Sequence, residues 1–388
     1  MNVYMDNGAA RSVDPRVLEE MMPYFSDKYG NPSSFHGKGF DAQGAMKEAR
    51  ERVASLIGAE SSEIIFTSSA TESNNLGIFG AMRRYKKKGN RIVISKIEHI
   101  SIMNIVKGLN REGFETEYIP VDAQGIIELG ALDKLINDET ILVSVMAANG
   151  EIGTIQPIKK VADAAHEHGA LFHTDATAAA GQISIDVSDT GIDLMSLSSN
   201  DLYGPKGVGA LYMRKGVRVR PMMLGGGQEN GLRSGSENIP GMVGMGKAAE
   251  LVLKEMKVES ERLTGLRDTL IKGLVETIPE SYLNGHPTER LPNNANVRFS
   301  YIEGESLILS LDQLGIQVSS GLACTAKTLE PSHVLRALGL KHEEAHGSLV
   351  FTLGRDNSKE HVEYLIQQMP DVVSRLRVMS PLTPEELR

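Results

Sequence analysis

Short apolar runs alternate with longer amphipathic segments between about residues 60 and 215. In chain order the apolar runs are EIIFT, RIVISK, TILVSVMAA, ALFHTDA, DLMSLSS and GVGALYM, each of a length typical of a buried strand. Segments such as TESNNLGIFGAMRRYKKK and SIMNIVKGLNREG lie between them and have the length and spacing of helices. This alternation predicts an α/β fold with a mostly parallel sheet that helices cover on both faces.

A second unit is indicated towards the C-terminus. A long helical pattern starts at NIPGMVGMGKAAELVLKEM and leads into strand-like NANVRFS and GSLVFTLG and helix-like GESLILSLDQLG and SKEHVEYLIQQM. We therefore expect a large α/β domain at residues 11–251 and a smaller α+β domain formed by residues 1–10 and 252–388.

The residues that follow the predicted strands form a candidate site, because ligands of parallel sheets bind at the carboxyl ends of the strands. These residues are Ser69, Ala70, Thr71, His99, Asn149, Asp175, Ser198, Ser199 and Asn200. The first three open a helix, whose free N–H groups suit a phosphate. An imidazole and a carboxylate nearby suit a flat heteroaromatic ring. Taken singly, each residue is more often a helix cap or a satisfied polar group at a strand end, but together they predict a heteroaromatic phosphate.

Composition narrows the class of protein. The 388 residues include 41 Lys and Arg against 50 Asp and Glu, a mildly acidic balance that predicts no nucleic-acid surface. No apolar stretch approaches the roughly 18 residues of a membrane span, and MNVYMDNGAA lacks a signal-peptide pattern. Cys324 is the single cysteine and cannot form an internal disulfide, which suits a reducing cytoplasm.

Longer motifs resemble those of a known family. In chain order they are VDPRVLEEMMPYF, YGNPSSFH, TSSATESNNL, NGEIGTIQPI, HTDA, LYGPKGVGALY, GGGQENGLRSGS, SSGLACTAKTLEPSHVLRALGL and FTLGR. They are similar to motifs of the pyridoxal-phosphate enzymes of aminotransferase class V, specifically cysteine desulfurases of the NifS/IscS type, over nearly the whole chain. The resemblance implies fold type I of the pyridoxal-phosphate-dependent transferases, with a mostly parallel seven-stranded sheet in the large domain, and a homodimer.

The resemblance also implies roles for individual residues. Those implied to bind pyridoxal phosphate are Ala70, Thr71, Asn149, Asp175, Ser198, Ser199, Asn200 and Ser236, with Ser236 reaching across from the other subunit. Asp175 would pair with the pyridinium nitrogen, and His99 would stack on the ring and move protons as a catalytic residue. Asn31 and Arg355 would hold the carboxylate of the substrate, L-cysteine. Cys324 would attack its sulfur, carry that sulfur as a persulfide, and pass it to an IscU-like scaffold protein of iron–sulfur cluster assembly.

The stretch SLSSNDLYGPKG departs from the family pattern. That pattern is Ser-x-His-Lys-x-x-Gly-Pro-Lys-Gly, and its first lysine forms the Schiff base with the cofactor, whereas this chain has Asp201 there. A carboxylate cannot condense with an aldehyde, so Asp201 marks the position of a missing Schiff-base lysine. Arg11 replaces a threonine near the substrate, and Ala178 replaces a glutamine beside the cofactor ring.

Two functions therefore stay open. The first is a cysteine desulfurase of weak activity, with pyridoxal phosphate held non-covalently or absent. The alternative is a non-catalytic, scaffold-binding protein that lends Cys324 as a sulfur carrier or as a ligand of a [2Fe–2S] cluster shared with the scaffold, because thiolates ligate iron. An inert core thiol is the commonest fate of a lone cysteine, but the resemblance of SSGLACT to the desulfurase loop favours a functional one.

Overall fold

The computed structural model describes residues 1–321 and 331–387. Its strands are β1 (Val3–Tyr4), β2 (Ile64–Thr67), β3 (Arg91–Ser95), β4 (Glu115–Ile119), β5 (Thr140–Ser144), β6 (Leu171–Asp175), β7 (Leu194–Ser198), β8 (Gly209–Met213), β9 (Ser281–Asn284), β10 (Asn294–Phe299), β11 (Ile316–Gln317) and β12 (Ser348–Thr352). Its helices are α1 (Pro15–Met21), α2 (Pro23–Ser26), α3 (Gly37–Leu56), α4 (Ala70–Arg84), α5 (Ile100–Arg111), α6 (Leu132–Leu135), α7 (Ile158–Glu167), α8 (Val187–Thr190), α9 (Ile239–Thr277), α10 (Gly304–Asp312), α11 (His333–Ala337), α12 (His342–His346) and α13 (Lys359–Met379).

The large sheet has seven strands within these described residues, in the order β2-β8-β7-β6-β5-β3-β4. All neighbours from β7 to β4 are parallel, and β8 runs antiparallel to both β7 and β2. The central strands are buried along nearly their whole length, as strands of a parallel sheet covered on both faces must be. The predicted α/β fold with a mostly parallel central sheet is confirmed.

Strand β4 is absent from the sequence-based prediction. Its residues Glu115–Ile119 read ETEYI, and most of them are partly exposed. Within the described residues it pairs only with β3, so it is an edge strand of the sheet. Charged side chains are typical of edge strands, because they discourage pairing with further chains. An apolar run is therefore not the signal that identifies such a strand.

A second group of elements surrounds a smaller sheet. Strands β9, β10 and β12 are antiparallel, and β1 pairs with β11 in parallel. Helix α9 connects the two apolar cores, because Leu251 and Val252 pack in the core of the large sheet while Leu263 and Leu270 pack with Val3 in the smaller one. The division of the chain at residue 251 stays a prediction. No helix in the described residues is both long and apolar enough to cross a membrane.

Candidate active site

A hydrogen-bonded chain joins two of the predicted site residues. Asp175, at the carboxyl end of β6, is buried, and its Oδ1 accepts a hydrogen bond from the backbone N–H of Thr177 at 3.0 Å. Asn74 Nδ2 donates to Asp175 Oδ2 at 2.8 Å and to Ser101 Oγ at 3.1 Å. Ser101 Oγ lies 2.8 Å from His99 Nδ1. The structure thus connects the exposed His99 imidazole to the buried carboxylate.

Helix α4 begins shortly after the end of β2. Ser69 caps it, because its Oγ accepts from the Glu72 N–H at 3.2 Å, and Glu72 Oε2 accepts from the Ser68 N–H at 2.6 Å. Ala70 and Thr71 form the first turn, and Thr71 is exposed. The N-terminus of this 15-residue helix has the partial positive charge that favours an anion.

The residues after β7 contribute a polar corner. Ser198 ends the strand and is half-buried, while Ser199 is buried with an Oγ that has no hydrogen-bond partner among the described residues. The Ser199 N–H donates to the carbonyl of Val208 at 3.1 Å. Asn200 Oδ1 accepts from the Arg11 N–H at 3.3 Å. An unpartnered buried hydroxyl is costly unless a further group satisfies it, so this corner suits a polar ligand.

Asp201 lies in the same corner with its carboxyl group buried. Burial raises the pKa of Asp201, the Arg11 guanidinium opposes that rise, and the charge of Asp175 adds to it. Arg11 is also buried, with Nη1 donating to the Asp201 carbonyl at 2.5 Å and Nε to the Asn7 carbonyl at 3.1 Å. A buried carboxyl group and a buried guanidinium group therefore lie close to each other.

Tyr203 brings Arg11 and Arg355 together. The Cζ atoms of the two arginines lie 4.9 and 4.5 Å from the centroid of the Tyr203 ring, within the range of cation–π contacts. The Arg355 N–H donates to the Tyr203 hydroxyl at 3.0 Å. The Arg355 guanidinium pairs with Asp14 and, at 2.9 Å, with Glu255. A substrate carboxylate would therefore compete with two carboxylates for Arg355, whose substrate-binding role stays a prediction.

Asn149 uses most of its side chain within the protein. Its Nδ2 donates to the Ile97 carbonyl at 3.0 Å, and its Oδ1 accepts from the N–H groups of Glu151 and Ile152 at 2.9 and 3.0 Å. Asn149 therefore fixes the turn after β5 against the end of β3. The second hydrogen of Nδ2 is the donor left for a ligand.

Three further predicted residues are not joined to this group. Asn31 is exposed, and its Oδ1 accepts from the Ser33 N–H at 2.8 Å. Ser236 is exposed and precedes α9. No hydrogen bond within the described residues connects either side chain to His99 or Asp175. Cys324 lies outside the described residues.

Glu98 is a buried titratable group that the sequence-based prediction missed. Its Oε1 accepts from Ser95 Oγ at 2.7 Å and from the Met146 N–H at 2.8 Å. Its Oε2 has no partner among the described residues, and burial raises the pKa of Glu98 to about 8. The signal in the sequence is a glutamate that lies between a buried strand and His99. At such a position a side chain is either exposed to solvent or buried in the core.

The described residues contain no group of three or more His, Cys, Asp or Glu side chains that could hold a metal ion. The predicted iron–sulfur ligand, Cys324, is outside that part of the chain. The predicted cluster ligand thus stays untested.

The comparisons with known proteins then decide the family. The profile "Aminotransferase class-V" matches residues 3–365. The chain belongs to the class-V aminotransferases. Two relatives within this family are named cysteine desulfurase: "Cysteine desulfurase IscS 1" of Archaeoglobus fulgidus is 55% identical over 98% of this chain and 99% of the relative, and "Cysteine desulfurase IscS" of Methanosarcina thermophila is 50% identical over 100% and 95%.

Two solved structures have the same fold. A structure named "NIFS-LIKE PROTEIN" superposes with a TM-score of 0.91 at 39% identity, over 97% of this chain and 100% of its own. A structure named "SspA in complex with cysteine" has a TM-score of 0.82 at 35% identity, over 91% and 99%. These similarities confirm membership among the cysteine desulfurases of the IscS/NifS type and the fold type I architecture.

Proposed function

We propose that this chain mobilises sulfur from L-cysteine for iron–sulfur cluster assembly, carrying it as a persulfide on Cys324 to an IscU-like scaffold protein, with turnover weakened by Asp201. Its similarity to named cysteine desulfurases over nearly its full length supports the reaction class. The structure named for a complex with cysteine supports the substrate. A cytoplasmic homodimer, in which Ser236 completes the phosphate site of the other subunit, is part of the proposal.

The residues at the sheet edge suit pyridoxal phosphate held without a covalent bond. The N-terminus of α4 suits its phosphate, the Asp175 carboxylate suits a protonated ring nitrogen, and the unpartnered Ser199 Oγ and Asn74 Oδ1 are buried polar atoms that a ligand can satisfy. They do not suit covalent attachment at position 201, because a carboxylate is not an amine.

The chain's own groups divide the remaining work. When bound, pyridoxal phosphate supplies an electron sink for the substrate. Asp175 would hold a proton at the ring nitrogen, and His99 would move protons at the ring face. Cys324 Sγ would form an S–S bond to the substrate sulfur as the substrate C–S bond breaks, and the carbon would take up a proton, so that cysteine and thiol become alanine and persulfide.

Asp201 is the single observation that carries the proposal of weak turnover. The resemblance implies a lysine that both attaches the cofactor and shuttles protons at this position. Asp201 is buried beside Arg11, and its carboxyl group can neither attach the cofactor nor shuttle protons in the way that a lysine amine would. Loss of a positioned acid–base group typically costs about 10²–10⁴ in rate.

The same pair favours a second candidate function. Arg11 fills the buried corner beside Asp201 and donates to the backbone carbonyls of Asp201 and Asn7, and such fixed hydrogen bonds suit stability rather than exchange of bound groups. A non-catalytic protein would bind the scaffold and lend Cys324 as a sulfur carrier or as a ligand of a shared [2Fe–2S] cluster.

Alanine formation from L-cysteine separates the two functions. Purified wild type, Asp201→Lys and Asp201→Lys/Arg11→Thr are assayed with added pyridoxal phosphate and a thiol reductant. We expect the wild type to form alanine about a hundredfold more slowly than the double variant, since that variant regains an amine without a neighbouring guanidinium. Asp201→Lys alone is expected to fall between them.

Cys324→Ala serves as the control in each background. Loss of alanine formation on this change supports the thiol as the acceptor of sulfur. Wild-type rates equal to those of the double variant would overturn the proposal of weak turnover, and complete absence of alanine from the wild type would favour the scaffold-binding function.

A further inference from the structure

Asn74 is a buried residue of α4 that the sequence-based prediction did not include among the site residues. Its amide nitrogen serves two acceptors, because Nδ2 donates to Asp175 Oδ2 at 2.8 Å and to Ser101 Oγ at 3.1 Å. Its Oδ1 is buried and has no partner among the described residues. Both hydrogens of the amide group are therefore used within the site, whereas its oxygen is not.

The contact with Asp175 determines how this amide is oriented. An ionised carboxylate only accepts hydrogen bonds, so Asn74 must turn its NH₂ group, and not its oxygen, towards Asp175. The carboxyl group is itself held in place, since Asp175 Oδ1 accepts from the Thr177 N–H at 3.0 Å. The same amide nitrogen lies against Ser101, so Asn74 can only donate to Ser101 Oγ.

Ser101 transmits this direction to His99. A hydroxyl group has one proton, which it can give to an acceptor while its oxygen accepts from another donor. Because Ser101 Oγ accepts from Asn74, its proton is available to His99 Nδ1, which lies 2.8 Å away. The Ser101 N–H donates to the same ring nitrogen at 3.2 Å. His99 Nδ1 thus faces two donors and carries no proton when the imidazole is neutral.

The other ring nitrogen of His99 must then carry the proton. A neutral imidazole has one N–H group, which is on Nε2 when Nδ1 is an acceptor. His99 is exposed, and no hydrogen bond within the described residues involves its Nε2. A ligand bound at this ring would therefore meet a donor at Nε2.

We propose that Asn74 is a positioning residue that fixes the tautomer of His99, with the proton on Nε2, by setting the direction of the hydrogen bonds between Asp175 and His99. The inference rests on the proposed function only in treating His99 as the residue that moves protons. It adds that the neutral ring gives a proton at Nε2 and does not take one there. Asn74 need not contact the cofactor or the substrate, because it acts through Ser101.

An aspartate at residue 74 reverses one hydrogen bond of this chain. A carboxylate oxygen accepts the Ser101 proton, so in Asn74→Asp the Ser101 Oγ would face His99 Nδ1 as an acceptor. Nitrogen-15 spectra of histidine-labelled protein, recorded without cofactor at an alkaline pH where imidazole is neutral, distinguish a protonated ring nitrogen from an unprotonated one. We expect the Nδ1 signal of His99 at the unprotonated position in wild type, and a shift towards the protonated position in Asn74→Asp. Comparison with His99→Gln identifies the signal among those of the ten histidines.

Asn75→Asp is the matched control. It introduces the same charge at the next residue of α4, but Asn75 is partly exposed and its Nδ2 donates to the Thr71 carbonyl at 2.8 Å. Its variant should leave the His99 signals at their wild-type positions. Should Asn74→Asp fail to fold, Asn74→Ala decides the question. Without the amide, the Ser101 oxygen is free to accept from the ring, and the Nδ1 signal should move part of the way in the same direction.

A folded Asn74→Asp variant whose His99 signals stay at their wild-type positions would overturn the positioning role. So would a wild-type spectrum in which Nδ1 carries the proton, or a shift of equal size in Asn75→Asp. The spectra need neither cofactor nor substrate, so failure of the proposed function would instead appear as alanine formation that survives Cys324→Ala.

Discussion

Arg11 and Asp201 are 190 residues apart in the sequence, yet Arg11 Nη1 donates to the Asp201 carbonyl at 2.5 Å. The guanidinium opposes the rise that burial causes in the pKa of Asp201. A lysine placed alone at residue 201 would bring a second cation beside Arg11, and like charges at short range in a buried corner repel. The two substitutions therefore belong together, and a test of position 201 needs the double variant.

Glu98 provides a test of the buried charges by pH. Burial raises its pKa from the ordinary 4.5 to about 8, so the folded state holds the proton more tightly than the unfolded state does. The stability due to this group is complete below about pH 4.5 and is lost as the pH rises to about 8. Relative to Glu98→Gln, the wild type should lose on the order of 4 kcal/mol of unfolding free energy between pH 5 and pH 8.

Urea unfolding at several pH values measures this difference. Glutamine is the matched substitution, because it keeps an oxygen that accepts from Ser95 and from the Met146 N–H but does not titrate. Unfolding free energies of wild type and variant that change in parallel with pH would show that Glu98 keeps an ordinary pKa.

At the scale of an element, two glycines of α9 differ in how closely the atoms of other elements approach them. A Cβ atom on Gly246 would lie 2.6 Å from the Cα of Ala49 in α3, whereas a Cβ atom on Gly265 would have nothing within 4 Å. Gly246→Ala should destabilise the protein by about 1–3 kcal/mol, because the two helix backbones must separate. Gly265→Ala should stabilise it by about 0.5–1 kcal/mol, because alanine is the better helix former.

Thermal unfolding of the two variants, in one buffer, compares these effects. The same chemical change in one helix controls for helix propensity, which leaves the contact with Ala49 as the difference. A Gly246→Ala variant as stable as Gly265→Ala would contradict the close packing of α3 against α9.

The elements that the sequence predicted best are those with a strong apolar period. Apolar runs identify the buried strands, because both faces of the parallel sheet are covered and nearly every side chain of such a strand is therefore apolar. Strand β4 was missed, since its half-exposed ETEYI has the composition of an edge. Helix α9 was predicted as a long helical pattern, but the contact of Gly246 with α3 depends on packing that no local pattern encodes.

At the scale of the whole molecule, the residues at the carboxyl ends of the predicted strands indicate much of the candidate site. His99 and Asp175 follow different strands, and the common direction of those strands brings them to one edge, where Asn74 and Ser101 join them. The ion pairs of Arg355 with Asp14 and Glu255 could not be predicted, because they join segments from the two ends and the middle of the chain. Burial of Glu98 likewise depends on the assembled sheet.

The most direct measurement is whether pyridoxal phosphate becomes covalently attached to a lysine of the protein. Protein incubated with pyridoxal phosphate is reduced with borohydride, digested and searched by mass spectrometry for modified lysines. We expect no modified lysine in the wild type and modification at residue 201 in Asp201→Lys/Arg11→Thr. Lys206 is the amine to watch, because its Nζ donates to the Arg11 carbonyl at 2.9 Å in the same corner. A wild-type protein modified at Lys206, or at any other lysine in stoichiometric yield, would contradict the claim that this site lacks its covalent anchor.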